Sequence, residues 1–157
     1  IKSLTVAIIV ISLLMFLCFK SIPISLLSLI PNTFPILLNF AIMAILDIPI
    51  NTATSLISAV ALGIAVDDTI HFLIHYQEKR KEGSSIESSL SMTIQEKGRA
   101  LISSSVILCV GFGVLTLSSF MPVFYFGLLS AIIMITALAG DLLFLPSVIL
   151  LKTLREK

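Results

Sequence analysis

The sequence is poor in charge, and this shortage excludes an ordinary soluble domain. Only 12% of its 157 residues are charged and 57% are hydrophobic, whereas about 25% charged residues is usual in soluble domains. The mean hydropathy of +1.13 is that of a membrane protein. Because the net charge is +1 and most charges lie in two short clusters, residues 79–99 and 152–157, no nucleic-acid-binding face is expected.

Cysteine and histidine are equally scarce, which argues against metal chemistry. Cys18 and Cys109 each lie in an apolar run, so we interpret them as small lipid-compatible side chains and expect neither a disulfide nor a metal pair. Two histidines are too few for a membrane di-iron enzyme. His71 and His75 have the i, i+4 spacing of a helical metal site, but Phe72 stands where a metalloprotease needs glutamate.

Motifs for hydrolytic catalysis are also missing. No G-x-S-x-G nucleophile elbow occurs. An intramembrane aspartyl protease would use acids on two helices, such as Asp67 and Asp141. However, Leu138 replaces the usual glycine two residues before the Gly-Asp pair, and Asp68 has no role in that scheme. We therefore expect neither an enzyme nor a metal or organic cofactor.

Long apolar stretches are what the sequence does have. A bilayer core requires about 20 mostly apolar residues per helix. Five stretches meet or approach this length, namely residues 3–19, 24–46, 52–76, 100–118 and 123–151. They are too long for strands and show no period-two alternation. The predicted fold class is an all-α, polytopic transmembrane helix bundle with five spans.

One polar segment, residues 77–99, interrupts these spans. Within it Ile86, Leu90 and Ile94 recur every four residues, which predicts a short amphipathic helix on the membrane surface. With five spans, this segment, the link at Lys20 and the C-terminus share one side and hold nine of the ten basic residues, so that side is predicted to be cytoplasmic. The odd number of spans, and the absence of a basic region before the first one, predict a piece of a longer protein.

Polar residues concentrate in the third span, in the stretch GIAVDDTIHFLIHY. At 100° per residue, Gly63, Asp67, His71 and His75 drift slowly around one side of a helix, and Asp68 lies within reach of both histidines. An ionised carboxylate near the middle of a bilayer costs at least about 2.5 kcal/mol. We therefore expect the acids to face the bundle interior or a water-filled path. Two adjacent carboxylates in a low dielectric do not both ionise easily, so the pair suits a proton relay.

Simpler interpretations remain open for some of these groups. The acids can act as neutral structural groups, although a single asparagine or serine would join helices at lower cost. His71 is a supporting candidate, whereas His75 is expected to face headgroups or the polar segment. Asp141 in the fifth span either joins the proton path or makes a structural contact, and the sequence does not decide between these roles.

The fourth span carries the stretch ISSSVILCVGFG. The serine run at residues 103–105 supplies hydroxyls at a depth comparable to that of the acids, on their cytoplasmic side. Helix packing is an equal alternative for these serines. Gly111 and Gly113 are expected to allow a neighbouring helix to approach closely.

Residues 31–72, PNTFPILLNFAIMAILDIPINTATSLISAVALGIAVDDTIHF, resemble the membrane core of the resistance-nodulation-division (RND) superfamily, in particular its MMPL-type and hydrophobe/amphiphile exporter branches. Those proteins have two halves, each with one helix, a large extracytoplasmic domain and five further helices. The resemblance covers essentially the whole chain. It implies the last five helices of one half, and the short basic tail after LPSVILLK suggests the C-terminal half.

The resemblance also implies site residues. The family's G-x-x-x-D motif, often with a second acid, is its proton-coupling site and falls here on Gly63, Asp67 and Asp68. A hydroxyl residue in the family's next helix, about five positions after an arginine, corresponds to Ser104, with Ser105 adjacent. The coupling ion implied is the proton.

The function implied by the resemblance is export of lipids or other hydrophobic compounds, driven by the proton-motive force, across a cell membrane such as the bacterial inner membrane. The expected partners are membrane lipids, the hydrophobic substrate, the other half of the transporter and an extracytoplasmic domain. Five helices also allow a homo-oligomer. Two alternatives are a sterol-sensing or lipid-receptor module like that of Patched relatives and a protein-export accessory like the SecD and SecF pair.

Overall fold

The computed structural model describes residues 2–19, 22–49 and 52–155, and these form helices joined by short turns. The helices are α1 (Lys2–Phe19), α2 (Ile22–Ile45), α3 (Thr52–Lys81), α4 (Ile86–Leu115), α5 (Met121–Ala139), a π-helical segment (Gly140–Phe144) and α6 (Leu145–Arg155). No strand occurs in these ranges. The predicted all-α helical bundle is confirmed.

Two helices in the described part of the chain are long and apolar enough to cross a bilayer by length and composition. They are α4 and the continuous stretch Met121–Leu151, which joins α5, the π-helical segment and most of α6. A shorter apolar helix covers Asn32–Ile45. The number of five spans stays a prediction, although each predicted span falls on one of these helical stretches.

The polar segment 77–99 is folded differently from its prediction. It is neither a loop nor a separate surface helix, because α3 continues to Lys81 and α4 already begins at Ile86. The turn between them contains Gly83 with φ of 89°, a left-handed conformation that favours glycine. Ser85 then caps α4, its side chain accepting a hydrogen bond of 3.2 Å from the Ser88 amide. Leu90 is buried in the bundle core and Ile86 packs partly against it, whereas Ile94 is exposed, so two of the three apolar residues pack against protein.

Helix α3 lies at the centre of the fold. It contacts α1, α2, α4 and α5. Its buried residues Val66, Phe72 and Leu73 join a core cluster that includes Leu101 of α4 and Leu145 of α6. The polar residues of α3 are therefore positioned by the most enclosed helix of the domain.

Close approach of α4 and α5 depends on Gly127. A Cβ at this position would lie 2.5 Å from the carbonyl oxygen of Phe112 and 2.8 Å from Cβ of Leu115. By contrast, a Cβ at Gly111 or Gly113 would meet no atom within 4 Å. The predicted close packing at these two glycines is wrong, because they point away from the α5 contact.

Gly63 on α3 also lies away from close helix contacts within this chain. It is exposed, and a Cβ there would have nothing within 4 Å. No described helix of this chain packs closely onto it, because α3 turns this face away from the bundle.

Candidate functional site

The two adjacent aspartates of α3 point in different directions. Successive helical residues are separated by about 100°, so Asp67 and Asp68 occupy neighbouring faces. The Asp67 side chain is 70% exposed on the outer side of the chain. Asp68 is half-buried and faces α4. Of the two acids, Asp68 therefore faces the bundle interior of this chain, and Asp67 does not.

Asp67 is paired with His71 along the outer face of α3. The carboxylate Oδ1 lies 3.7 Å from His71 Nε2, the i, i+4 geometry expected one helical turn apart. The His71 side chain is 67% exposed. These two residues and Gly63 form a polar surface, called the outer face here, that no described helix of the chain covers.

Asp68 contacts the fourth span through Ser105. The Ser105 hydroxyl donates to Asp68 Oδ2 at 3.5 Å, a long hydrogen bond, and Ser105 itself is buried. Ser104 is exposed, and its hydroxyl donates to the carbonyl oxygen of Leu101 in its own helix at 3.0 Å. Of the two serines singled out from the sequence, Ser105 is therefore the one that reaches the acid.

Asp141 is the most deeply enclosed carboxylate in the site, at 2% exposure. It lies in the π-helical segment, where one extra residue per turn changes the direction of the side chains. The Thr69 hydroxyl donates to Asp141 Oδ1 at 2.5 Å, and Asn32 Nδ2 donates to Thr69 Oγ1 at 2.9 Å. This group, called the buried triad here, links α2, α3 and the π-helical segment.

Sequence reasoning missed two members of the buried triad. Thr69 directly follows the aspartate pair, and Asn32 is a polar residue within an apolar helix, so a signal was present for both. What the sequence could not show is that they meet Asp141, because that contact depends on the π-helical segment. Asp141 was left undecided, and its place beside Thr69 brings it within one residue of Asp68.

His75 lies apart from the acids, at the end of α3 near the turn to α4. Its Nε2 is 2.9 Å from Glu96 Oε2 on α4, and its Nδ1 is 3.4 Å from Glu78 Oε2. Lys79 Nζ is 3.8 Å from the second carboxylate oxygen of Glu96. Because His71 and His75 contact different carboxylates, the two histidines do not converge as metal ligands would.

The arrangement suits the binding of protons near mid-span. One carboxylate faces outward, one is half-buried against α4 and one is enclosed, and each has a hydrogen-bonding or ionic neighbour. Polar groups inside a membrane domain are expensive and are usually functional.

A comparison of the sequence with protein families identifies a known group. The MMPL family matches residues 1–155, almost the entire chain. The chain belongs to the MMPL family. This family is a group of membrane transporters in the RND superfamily, and the chain is a membrane domain of that family.

A curated relative supports the membrane assignment. A protein described as a membrane protein from Methanocaldococcus jannaschii is 30% identical over 114 residues, which cover 73% of this chain. The matched part is 29% of the relative's length, so the MMPL domain described here corresponds to a minor part of that protein. No solved structure is significantly similar to the chain.

Proposed function

We propose that this MMPL domain is the proton-coupling half-bundle of a transporter that exports lipids or other hydrophobic compounds. The observation that carries the proposal is the placement of Asp68 between α3 and α4, with Asp67 on one side and the enclosed Asp141 on the other. Helix α3 contacts four other helices, so a change in its packing reaches the whole domain.

The coupling step is the protonation of Asp68. An ionised Asp68 accepts the hydrogen bond from Ser105 and favours a hydrated path between α3 and α4. A protonated Asp68 is neutral, so the two helices can close with less desolvation cost. A proton crossing the membrane releases about 2.3 kcal/mol per 100 mV, which drives the alternation between the two packings.

The outer face is the second part of the proposal. Asp67 and His71 are largely exposed in this chain, and a carboxylate left against hydrocarbon would be costly. We therefore assign the outer face to contact with the other half of the transporter. Asp67 would then share a hydrated proton path with groups supplied by that half.

The proposal also includes an orientation, which follows from the distribution of basic residues, and a route by which movement reaches the substrate. The turn between α3 and α4 and the C-terminus lie in the cytoplasm, and the membrane is the inner membrane if the source is a bacterium. The movement of α3 would be passed to an extracytoplasmic domain that selects the hydrophobic substrate. Transport would proceed by alternating access.

The test is transport by the full-length protein in proteoliposomes with an imposed pH gradient. Asp68→Asn and Asp67→Asn should each reduce gradient-driven export at least about tenfold, since each removes a proton-binding group. Glu87→Gln is the matched control, because it removes an exposed carboxylate from the first turn of α4, away from the site.

Undiminished export by the double variant Asp67→Asn and Asp68→Asn would refute the coupling role. Absence of proton flux in the wild-type protein, together with retained binding of a sterol or lipid, would instead favour the receptor function.

A further inference from the structure

We propose that Thr69 is a proton-dependent hydrogen-bond switch, which reverses direction when Asp141 gains or loses a proton and so changes how the π-helical segment is held against α2 and α3. This inference deepens the proposed function and rests on it for its role in transport. Its physical basis is the buried triad alone.

The Thr69 hydroxyl has more acceptors within reach than it has protons. Its Oγ1 lies 2.5 Å from Asp141 Oδ1, 3.2 Å from the carbonyl oxygen of Ala65 and 3.3 Å from Asn32 Oδ1. It also accepts from Asn32 Nδ2 at 2.9 Å. A hydroxyl carries one proton and two lone pairs. The hydroxyl can therefore donate to only one of these three acceptors at a time, and the protonation state of Asp141 decides which one.

With Asp141 ionised, the hydroxyl must point at the carboxylate. Hydrogen bonds of this type, O–H to O⁻, have lengths of about 2.5–2.7 Å and are roughly twice as strong as neutral ones, and the observed 2.5 Å matches that range. Asn32 Nδ2 donates to Thr69 Oγ1, so the chain of hydrogen bonds runs from Asn32 through Thr69 to the buried carboxylate. This state fastens the π-helical segment to α3 and, through Asn32, to α2.

With Asp141 protonated, the hydrogen bond between Thr69 and Asp141 reverses its direction. The added proton resides on the carboxyl group, which then donates to Thr69 Oγ1. The Thr69 hydroxyl rotates and donates to the Ala65 carbonyl in its own helix, and no covalent bond breaks. Both lone pairs of Thr69 are then occupied, by Asp141 and by Asn32. The Thr69 hydroxyl keeps both a donor and an acceptor partner in the two states, so neither state leaves it without a hydrogen bond.

The consequence is a difference in the strength of one interhelical link. The link between α3 and the π-helical segment is charge-assisted in one state and neutral in the other. The segment is a single π-helical turn, a geometry often found at functional sites. Protonation would therefore loosen the last span at the point where its helical register is already irregular.

The charged groups around Asp141 are few. Helices α2 and α5 pack against the π-helical segment and carry no acidic or basic residue. Helix α6 continues the segment, and its first charged residue is Lys152, about three turns after Asp141. Helix α3 brings Asp68, one residue before Thr69, whose own partner is Ser105 on α4. Because two carboxylates at such a site influence each other's ionisation, the switch would respond to the proton on Asp68 as well as to its own.

The experiment measures protonation directly, by infrared titration of the full-length protein in lipid. The Asp141 carboxyl band is assigned by its loss in Asp141→Asn. In Thr69→Val the hydroxyl that stabilises the ionised form is gone, so the midpoint of this band should move to higher pH by about one unit, a tenfold gain in proton affinity. Thr69→Ser keeps the hydroxyl and should titrate like the wild type.

The matched control is Thr93→Val. Thr93 is equally buried, but its hydroxyl donates to the Ser89 carbonyl in its own helix at 2.7 Å, so its loss should leave the Asp141 band unchanged. If Thr69→Val misfolds, Thr69→Ala removes the same hydroxyl without overfilling the site.

An unshifted Asp141 band in the folded hydroxyl-free variant would overturn the switch, and so would an equal shift in Thr69→Ser. Because the band reports protonation and not transport, that outcome would leave the coupling role of Asp68 standing. Conversely, undiminished export by the Asp67 and Asp68 variants would refute the proposed function and leave the titration result intact.

Discussion

Replacing Gly127 by alanine is expected to destabilise the domain, although alanine is the better helix former. The added Cβ would lie 2.5 Å from the Phe112 carbonyl oxygen and 3.1 Å from the Thr116 amide nitrogen. Both atoms are backbone, so they cannot move aside as the end of a flexible side chain would. Overpacking of this kind costs about 1–3 kcal/mol, which exceeds the gain of about 1 kcal/mol from exchanging glycine for alanine in a helix.

Gly111→Ala and Gly113→Ala are the matched controls for this prediction. They lie on the facing helix α4, and their Cβ atoms would enter open space. Helix propensity then acts alone, so they should leave stability unchanged or raise it by up to about 1 kcal/mol.

The assay for these three variants is the Tm of the purified full-length protein in detergent, from the fraction that stays monodisperse after heating. A Gly127→Ala variant as stable as the wild type would refute the close contact between α4 and α5. A loss at Gly113 equal to that at Gly127 would do the same.

Three further predictions concern α3 and α4. Ser105→Ala should lower proton-driven export in proteoliposomes more than Ser104→Ala, because only the former removes a hydrogen bond to an acid; equal effects would contradict this. A double-mutant cycle on His75→Ala and Glu96→Ala should give a coupling of about 0.2–1 kcal/mol in thermal unfolding, because the two side chains lie 2.9 Å apart; additive effects of the two substitutions would count against it. Ser85→Ala should cost about 1 kcal/mol by removing the cap of α4, and an unchanged Tm would show that the cap contributes little.

The helical class and the location of the acids could be predicted from the sequence alone. Continuous apolar runs identify helices without knowledge of their neighbours, and carboxylates within such runs are conspicuous. The motif containing Asp67 and Asp68 was found in this way. So was Asp141, although its role stayed open.

The rotation of the helices could not be predicted. In a soluble protein the polar side of a helix faces water and so fixes its orientation, but a membrane helix is apolar on nearly every side. Periodicity placed Asp67 and Asp68 on neighbouring faces without showing which one points inward. For the same reason the sequence indicated Gly111 and Gly113 without indicating the close contact at Gly127, since composition does not distinguish a glycine at a contact from one facing outward.

Two features of the helices were also not predicted, namely the π-helical segment and the continuation of α3 and α4 into residues 77–99. The π-helical segment that carries Asp141 adds one residue to a turn, a local change that hydropathy does not register. In residues 77–99, polarity predicts the end of a membrane span. Polarity marks where the hydrocarbon ends, not where the helix ends, and Leu90 shows that the segment still packs against the bundle.

Helices α3 and α4 are longer than the bilayer core is thick, so a small tilt of either helix displaces its end by a larger distance. Each has 30 residues, which corresponds to about 45 Å, whereas the hydrocarbon core is about 30 Å thick. The pair therefore forms two stiff rods that extend past the bilayer, with the contact between Asp68 and Ser105 as a fulcrum. From Ser105 to Ile86 the arm is about 28 Å, so a tilt of about 5° displaces its tip by about 2.5 Å. In the proposed coupling, protonation of Asp68 would thus move the tip by a distance that a spin label placed there can measure.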